Sequence, residues 1–240
     1  MRTMKIGVIG AGLIGGTLAS KLAVLGHQVK LANSKAPSTL TEFGGIDNLT
    51  TVWAADAVRD VDIVIISVPE YAIDALGAEL APILSENTIV IDTGNYYPVR
   101  DGRIPALDGG VPDSVWVSQI LGRPVFKVFN NIAAPDLKKK GTPDRGNRVG
   151  LLVSGPDGDA KHAVFALVDQ LGFEPVDGGP LEESWRQQPG TPAYCKDLDP
   201  DSLKASWIAT VLDDVDEYHR NRDQIVDFDA AVRETARRMA

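Results

Sequence analysis

The chain has 240 residues, 44% of them apolar and 24% charged, with a formal net charge of −9 and a single cysteine. At about 100–200 residues per domain, this predicts one main domain, alone or with a small appendage, and a sizeable buried core. A sequence pI near 4.8 argues against a nucleic-acid partner but not against anionic small ligands, and the lone Cys195 excludes an intramolecular disulfide or a cysteine zinc cluster.

In chain order, Met4–Ile9 reads as a buried strand, too short for a signal-peptide core. Leu13–Leu25 has helical spacing and stops at Gly26. Gln28–Ala32 and Leu49–Thr51 read as strands, with a small helix at Trp53–Val58 between them and the next strand. That strand, Asp62–Ser67, is continuously apolar, as in a parallel sheet covered on both faces. Tyr71–Leu84 reads as a helix, Thr88–Asp92 as a strand, and residues 93–113 as one long loop, a kind that is usually functional or mobile. Helix Ser114–Leu121, strand Val125–Phe129, strand Val149–Val153, helix Asp159–Leu171 and strand Phe173–Val176 follow. The repeated β-α-β pattern predicts a Rossmann-type, doubly wound, mostly parallel sheet over residues 1–185. Residues 186–240 form a helical appendage, with one helix at Ser202–Tyr218 and another running to Ala240. It must pack on the main domain, on a second copy or over the site as a lid. No stretch reaches the ~18 apolar residues of a membrane span, so a cytoplasmic protein without membrane contacts is expected.

Chemistry concentrates in Gly10-Ala11-Gly12-Leu13-Ile14-Gly15, between the first strand and the first helix. Its glycines suit a tight turn, close approach of the backbone to a pyrophosphate, and close helix–sheet packing. At the end of the second strand an NAD site would place a carboxylate for the ribose hydroxyls. Asn33, Ser34 and Lys35 stand there instead, which favours the 2′-phosphate of NADP(H). Ser67-Val68-Pro69, Asp92 to Asn95 and Asn130 to Ala134 end successive strands at one sheet edge and should converge on the nicotinamide. His27, His162 and His219 read as structural, Cys195 as inert, and no metal site is predicted. This scarcity of acid–base groups fits hydride transfer to a flavin-like ring, where stacking and orientation do most of the work.

These residues resemble a known family. Gly10–Gly15, Asn33 to Lys35 and Ser67-Val68-Pro69 followed by Tyr71-Ala72-Ile73-Asp74 look like the NADP-dependent oxidoreductases that reduce the deazaflavin coenzyme F420. The runs from Asp92, Lys127, Gly146 and Gly172 extend the match over residues 4–187, and Glu183-Ser184-Trp185 is also similar to the cytosolic reductase domain of STEAP ferric reductases. The resemblance implies a homodimer with NADPH in an extended groove and a deazaflavin or flavin stacked on its nicotinamide. By position, Ser34 and Lys35 would hold the 2′-phosphate, and Leu13 and Ile14 would offer N–H groups to the pyrophosphate. Asn95, Asn130 and Ala134 would border the nicotinamide. Two further readings stay open: a non-enzymatic NADP(H)-binding or redox-sensing module, and a reductase of a small carbonyl or imine.

Overall fold

Six parallel strands, β1 (Lys5–Ile9), β2 (Gln28–Ala32), β3 (Leu49–Thr51), β4 (Ile63–Ile66), β5 (Ile89–Asp92) and β6 (Phe126–Lys127), form one sheet in the order β3-β2-β1-β4-β5-β6. They come from a computed structural model that describes residues 3–239; Met1, Arg2 and Ala240, which the sequence reading includes, lie outside the described residues. The sheet works because its strands are apolar on both faces. Ile6, Val8, Ile63 and Ile65 enter one core, while Ile9, Val64 and Ile66 enter the other.

Helix α1 (Leu13–Val24) covers the first face through Leu18 and Leu22. The second face carries α2 (Ala54–Ala57) and α3 (Ile73–Leu80), through Ala57, Ile73 and Leu80. Two one-turn helices, α4 (Pro98–Asp101) and α5 (Pro105–Asp108), then lead to α6 (Asp113–Leu121), whose Trp116, Val117 and Leu121 complete that second core. Helices α7 (Ala134–Lys139) and, after β7 (Gly150–Val153), α8 (Asp159–Gln170) return to the first face. Strand β8 (Glu174–Asp177) pairs parallel with β7 in a two-stranded sheet of their own. One antiparallel bridge, Lys127 to Ser154, ties this pair to the main sheet. The final β-α-β unit is therefore present, but it is not a continuation of the main ladder.

The predicted long loop at 93–113 is corrected: α4 and α5 lie within it, each started by a proline that needs no N–H bond partner. Buried Tyr96 organises it, with its hydroxyl 3.0 Å from the Gly102 carbonyl and 2.9 Å from Asp108, and accepting the Ile104 N–H at 3.2 Å.

The predicted helix Ser202–Tyr218 is also corrected. It is two helices, α9 (Pro200–Ala209) and α10 (Val215–Arg222), broken at Thr210 and Val211. The Thr210 carbonyl accepts from the Arg186 guanidinium, and the Val211 N–H donates to the Tyr218 hydroxyl at 3.3 Å. These tertiary partners replace the helical ladder, and Val211 is left exposed rather than extending the apolar stripe. Asp199 caps α9 by accepting from the N–H groups of Asp201 and Ser202, and Leu203 packs with Leu152 and Val176. The last helix, α11 (Phe228–Met239), buries no residue fully and lies against α7. No helix among the described residues is long and apolar enough to cross a membrane.

Candidate functional site

The strand order reverses direction between β1 and β4, and a cleft of about 510 Å³ opens at the carboxyl ends of these strands and of β5 and β6. This is the topological switch point where open α/β sheets bind ligands. The three motif glycines take different parts. Gly10 has φ +106°, and a Cβ there would lie 2.1 Å from the Ser67 carbonyl oxygen. A Cβ on Gly15 would lie 2.0 Å from the Gly10 oxygen. Both are glycines because the chain packs on itself. A Cβ on Gly12 would meet no atom within 4 Å and would project into open space.

That open space suits an anion. Gly12 caps α1 without a side chain, the first turn carries no acidic residue, and the first intrahelical bond runs from the Gly16 N–H to the Gly12 carbonyl. The Leu13 and Ile14 N–H groups precede that bond, so helix geometry leaves them without intrahelical acceptors at the positive end of the helix. The pyrophosphate of a dinucleotide fits this cradle. Ser67, Val68 and Pro69 line the same cleft, as do Asn95, Asn130 and Ala134. Asn33, Ser34 and Lys35 do not line it. They form an exposed turn beyond β2, where the Asn33 side chain accepts the Lys35 N–H at 2.8 Å and turns the lysine outward.

The two predicted asparagines meet each other. Asn130 Nδ2 donates to Asn95 Oδ1 at 3.1 Å, and Asn95 Nδ2 donates to the Asn130 carbonyl at 3.1 Å. Buried Gln187 donates to Asn130 Oδ1 at 2.7 Å and accepts from Ser154 at 2.8 Å. This network locks the ends of β5 and β6 together.

Beside it lies a charge cluster that the sequence reading touched only at Asp92. The Lys127 ammonium, fully buried, donates to the Gly94 carbonyl at 3.0 Å and to the Ser114 hydroxyl at 3.1 Å. It lies 4.0 Å from Asp92 and 3.8 Å from Asp113. A lysine inside Val125-Phe126-Lys127-Val128-Phe129 was a signal that could have revealed it. Glu70 is fully buried beside Gly94, and neither carboxyl oxygen has a hydrogen-bond partner. Burial first, and then the charges of Asp92 and Asp113, push its carboxyl well above the usual range. An acid whose pKa rises on folding contributes its full stability below the unfolded value and loses it as pH climbs towards the folded one. Glu70→Gln should therefore raise the melting temperature at pH 8 and match the parent near pH 4, about the unfolded value of a glutamate. Parallel melting curves at both pH values would contradict this.

Sequence reasoning also missed the outer wall of the cleft. Tyr97, Arg100, Tyr194 and Phe228 line it with Val232 and Thr235 of α11. The Phe228 ring lies 5.1 Å from that of Tyr97, and the Arg100 guanidinium sits 4.8 Å from the Phe228 centroid. The Lys138 and Lys139 ammonium groups cap the other end of α11 through the Met239 and Arg238 carbonyls, at 2.7 and 2.6 Å. Helix α11 thus lines the cleft while lying against α7 of the main domain.

The histidines stand apart from the cleft. His27 is buried between the Met4 N–H and Gln170, His162 is exposed on α8, and His219 lines a separate pocket of about 100 Å³. Cys195 does border the cleft, with burial pushing its thiol up to about 12, which leaves it protonated at neutral pH.

Residues 5–96 match the family described as NADP oxidoreductase, coenzyme F420-dependent. A hypothetical protein of Sinorhizobium meliloti is similar in structure, with 32% identity, a TM-score of 0.65, and coverage of 78% of this chain and 90% of that one. A candidate F420-dependent NADP-reductase from Arthrobacter sp. FB24 is 26% identical, with a TM-score of 0.63 over 76% of this chain and 87% of that one. The metalloreductase STEAP3 of Rattus norvegicus is 27% identical over 177 residues, 74% of this chain and 34% of that protein. The chain spans about a third of the length of the curated relatives it matches, 36% and 34%. The glycine cradle, the switch-point cleft and these relatives agree, and over residues 5–96 the chain carries the pattern of the NADP oxidoreductase, coenzyme F420-dependent family.

Proposed function

We propose that this protein is an NADP(H)-dependent oxidoreductase that moves a hydride between the nicotinamide and a stacked planar acceptor, a deazaflavin such as F420 or a flavin. The observation that carries the reading is one continuous cleft. It joins the Gly12-Leu13-Ile14 cradle to an apolar floor of Val68, Pro69, Ile132 and Ala133. When bound, the nicotinamide supplies the hydride. The chain's own part is to bind, orient and exclude water. Leu13 and Ile14 offer N–H groups to the pyrophosphate, while the Asn95–Asn130–Gln187 network holds the strand ends rigid. Helix α11 covers the cleft on its solvent side, through Phe228, Ala231 and Val232. Residues 1–185 form the cofactor domain in this reading, and residues 186–240 close it.

Steady-state NADPH oxidation with riboflavin, FMN, a deazaflavin and a quinone tests the reading. NADPH binding without turnover on any of them would overturn it and favour a binding module. A homodimer, implied by the resemblance, belongs to the same proposal, and a solution mass of 25.7 kDa by light scattering would remove it.

Cofactor preference rests on Lys35. Lys35→Ala should weaken NADPH by about tenfold and leave NADH within twofold, since only the 2′-phosphate gains a charged hydrogen bond there. Equal losses for both cofactors, measured as dissociation constants, would place the 2′-phosphate elsewhere.

A further inference from the structure

The cleft has an apolar floor, and two of its polar side chains, Asn95 and Asn130, are already spent on each other. Both donor and acceptor ends of each amide engage Asn95, Asn130 or Gln187, and Asn95 Nδ2 also lies 3.5 Å from the Tyr194 hydroxyl. They brace the site and have little left to offer a ligand. Tyr97 and Tyr194 differ. They are 97 positions apart, yet their hydroxyl oxygens lie 2.7 Å from each other at the cleft wall. Two hydroxyls bring two protons, and the bond between them uses one.

We infer that the Tyr97–Tyr194 hydroxyl pair is the polar edge of the acceptor slot, donating a hydrogen bond to a ring carbonyl of a planar heteroaromatic acceptor. This rests on the hydride-transfer reading of the cleft. The Tyr97 ring is held in a three-way contact with the Phe228 ring at 5.1 Å and the Arg100 guanidinium at 5.7 Å, which itself lies 4.8 Å from the Phe228 centroid. Burial pushes Tyr97 up to about 12 and holds Tyr194 well above the ordinary tyrosine range, so both stay protonated and act as donors at neutral pH. No proton is transferred. As the acceptor gains the hydride and its electron pair, negative charge grows on the carbonyl oxygen, and a fixed donor there binds the reduced form more strongly than the oxidised form. The pair therefore selects flavin-like rings with a carbonyl edge over rings that lack one.

Tyr97→Phe, Tyr194→Phe and the double variant keep both rings and test the pair. Riboflavin is the probe, titrated by fluorescence quenching into protein saturated with NADP+, alongside steady-state KM and kcat with NADPH. Each single variant should bind riboflavin roughly tenfold more weakly, the worth of about one well-placed hydrogen bond in a water-poor site. NADPH affinity should stay within twofold. The double variant should be no worse than the weaker single one, because the two hydroxyls act as a unit. Riboflavin titrations of the variants that superimpose on the parent's would overturn the inference and leave the hydride reading standing. Equal losses of riboflavin and NADPH affinity would also overturn it, by showing a general loosening of the cleft. A parent protein that binds NADPH but neither binds nor reduces riboflavin or a deazaflavin would remove the hydride reading, and this inference with it.

Discussion

Gly12→Val should leave the fold intact and abolish the NADPH binding proposed for this turn. The backbone at Gly12 has φ −74° and ψ −168°, which any residue adopts, and a Cβ there meets no protein atom within 4 Å. The added side chain therefore costs the folded state little, on the order of the ±0.5 kcal/mol of an ordinary surface change. It projects instead into the open space above α1, where the proposed pyrophosphate would approach the backbone. Affinity should fall by about a hundredfold or more, since displacing the pyrophosphate forfeits several hydrogen bonds to charged oxygens at ~1.5–3 kcal/mol each. Calorimetry gives the affinity directly. Thermal melts give a second readout: NADPH should raise the parent's melting temperature by mass action and leave the variant's unchanged. Gly10→Ala is the contrasting control. Its Cβ would sit 2.1 Å from the Ser67 carbonyl oxygen at φ +106°, so it should fail through misfolding rather than through cofactor loss. A Gly12→Val protein that titrates NADPH like the parent would show that the cofactor does not lie on this turn.

Lys127→Met should cost about 3–5 kcal/mol of stability, the typical penalty for removing one partner of a buried ionic cluster. The methionine fills similar volume, so packing changes little. What is lost is the ammonium between Asp92 and Asp113, both buried, together with its bonds to the Gly94 carbonyl and Ser114 hydroxyl. For a domain of this size that corresponds to a fall in melting temperature of roughly 10 °C. Adding Asp113→Asn should return part of the loss, because it removes one of the stranded charges. Asp113 is the informative choice because burial already pushes its carboxyl up, with Lys127 acting in the opposite direction. A Lys127→Met protein as stable as the parent would mean the acids simply protonate at no cost. The consequence for the site is direct, since Lys127 holds the Gly94 carbonyl one residue before Asn95.

Several of these features were legible in residue order. The run Ile63-Val64-Ile65-Ile66 is apolar at every position, and that pattern requires a strand covered on both faces, which is what β4 is. The glycine turn announced a strand-to-helix phosphate site. It also announced separate jobs for the three glycines; what it did not announce is the atoms that enforce them, the Ser67 carbonyl against Gly10, 57 positions away, and the Gly10 carbonyl against Gly15. The spacing of Leu203, Trp207, Val211 and Val215 predicted one helix, and Arg186 and Tyr218 broke it by offering the backbone other partners.

The sequence by itself determined the parallel sheet, the cradle and the sheet edge where the site lies. Those follow from periodicity and local turn chemistry, which act between neighbours along the chain. Only the tertiary structure decided what the site contains. It spent the amides of Asn95 and Asn130 on each other and on Gln187, buried Lys127 among acids, and brought Tyr97 to Tyr194. It also laid α11 across the cleft. An amphipathic pattern states which face of a helix is apolar but not what that face will meet. Likewise, a polar residue's chemistry is set by whether its hydrogen bonds are already satisfied, and that is known only once distant segments have packed together.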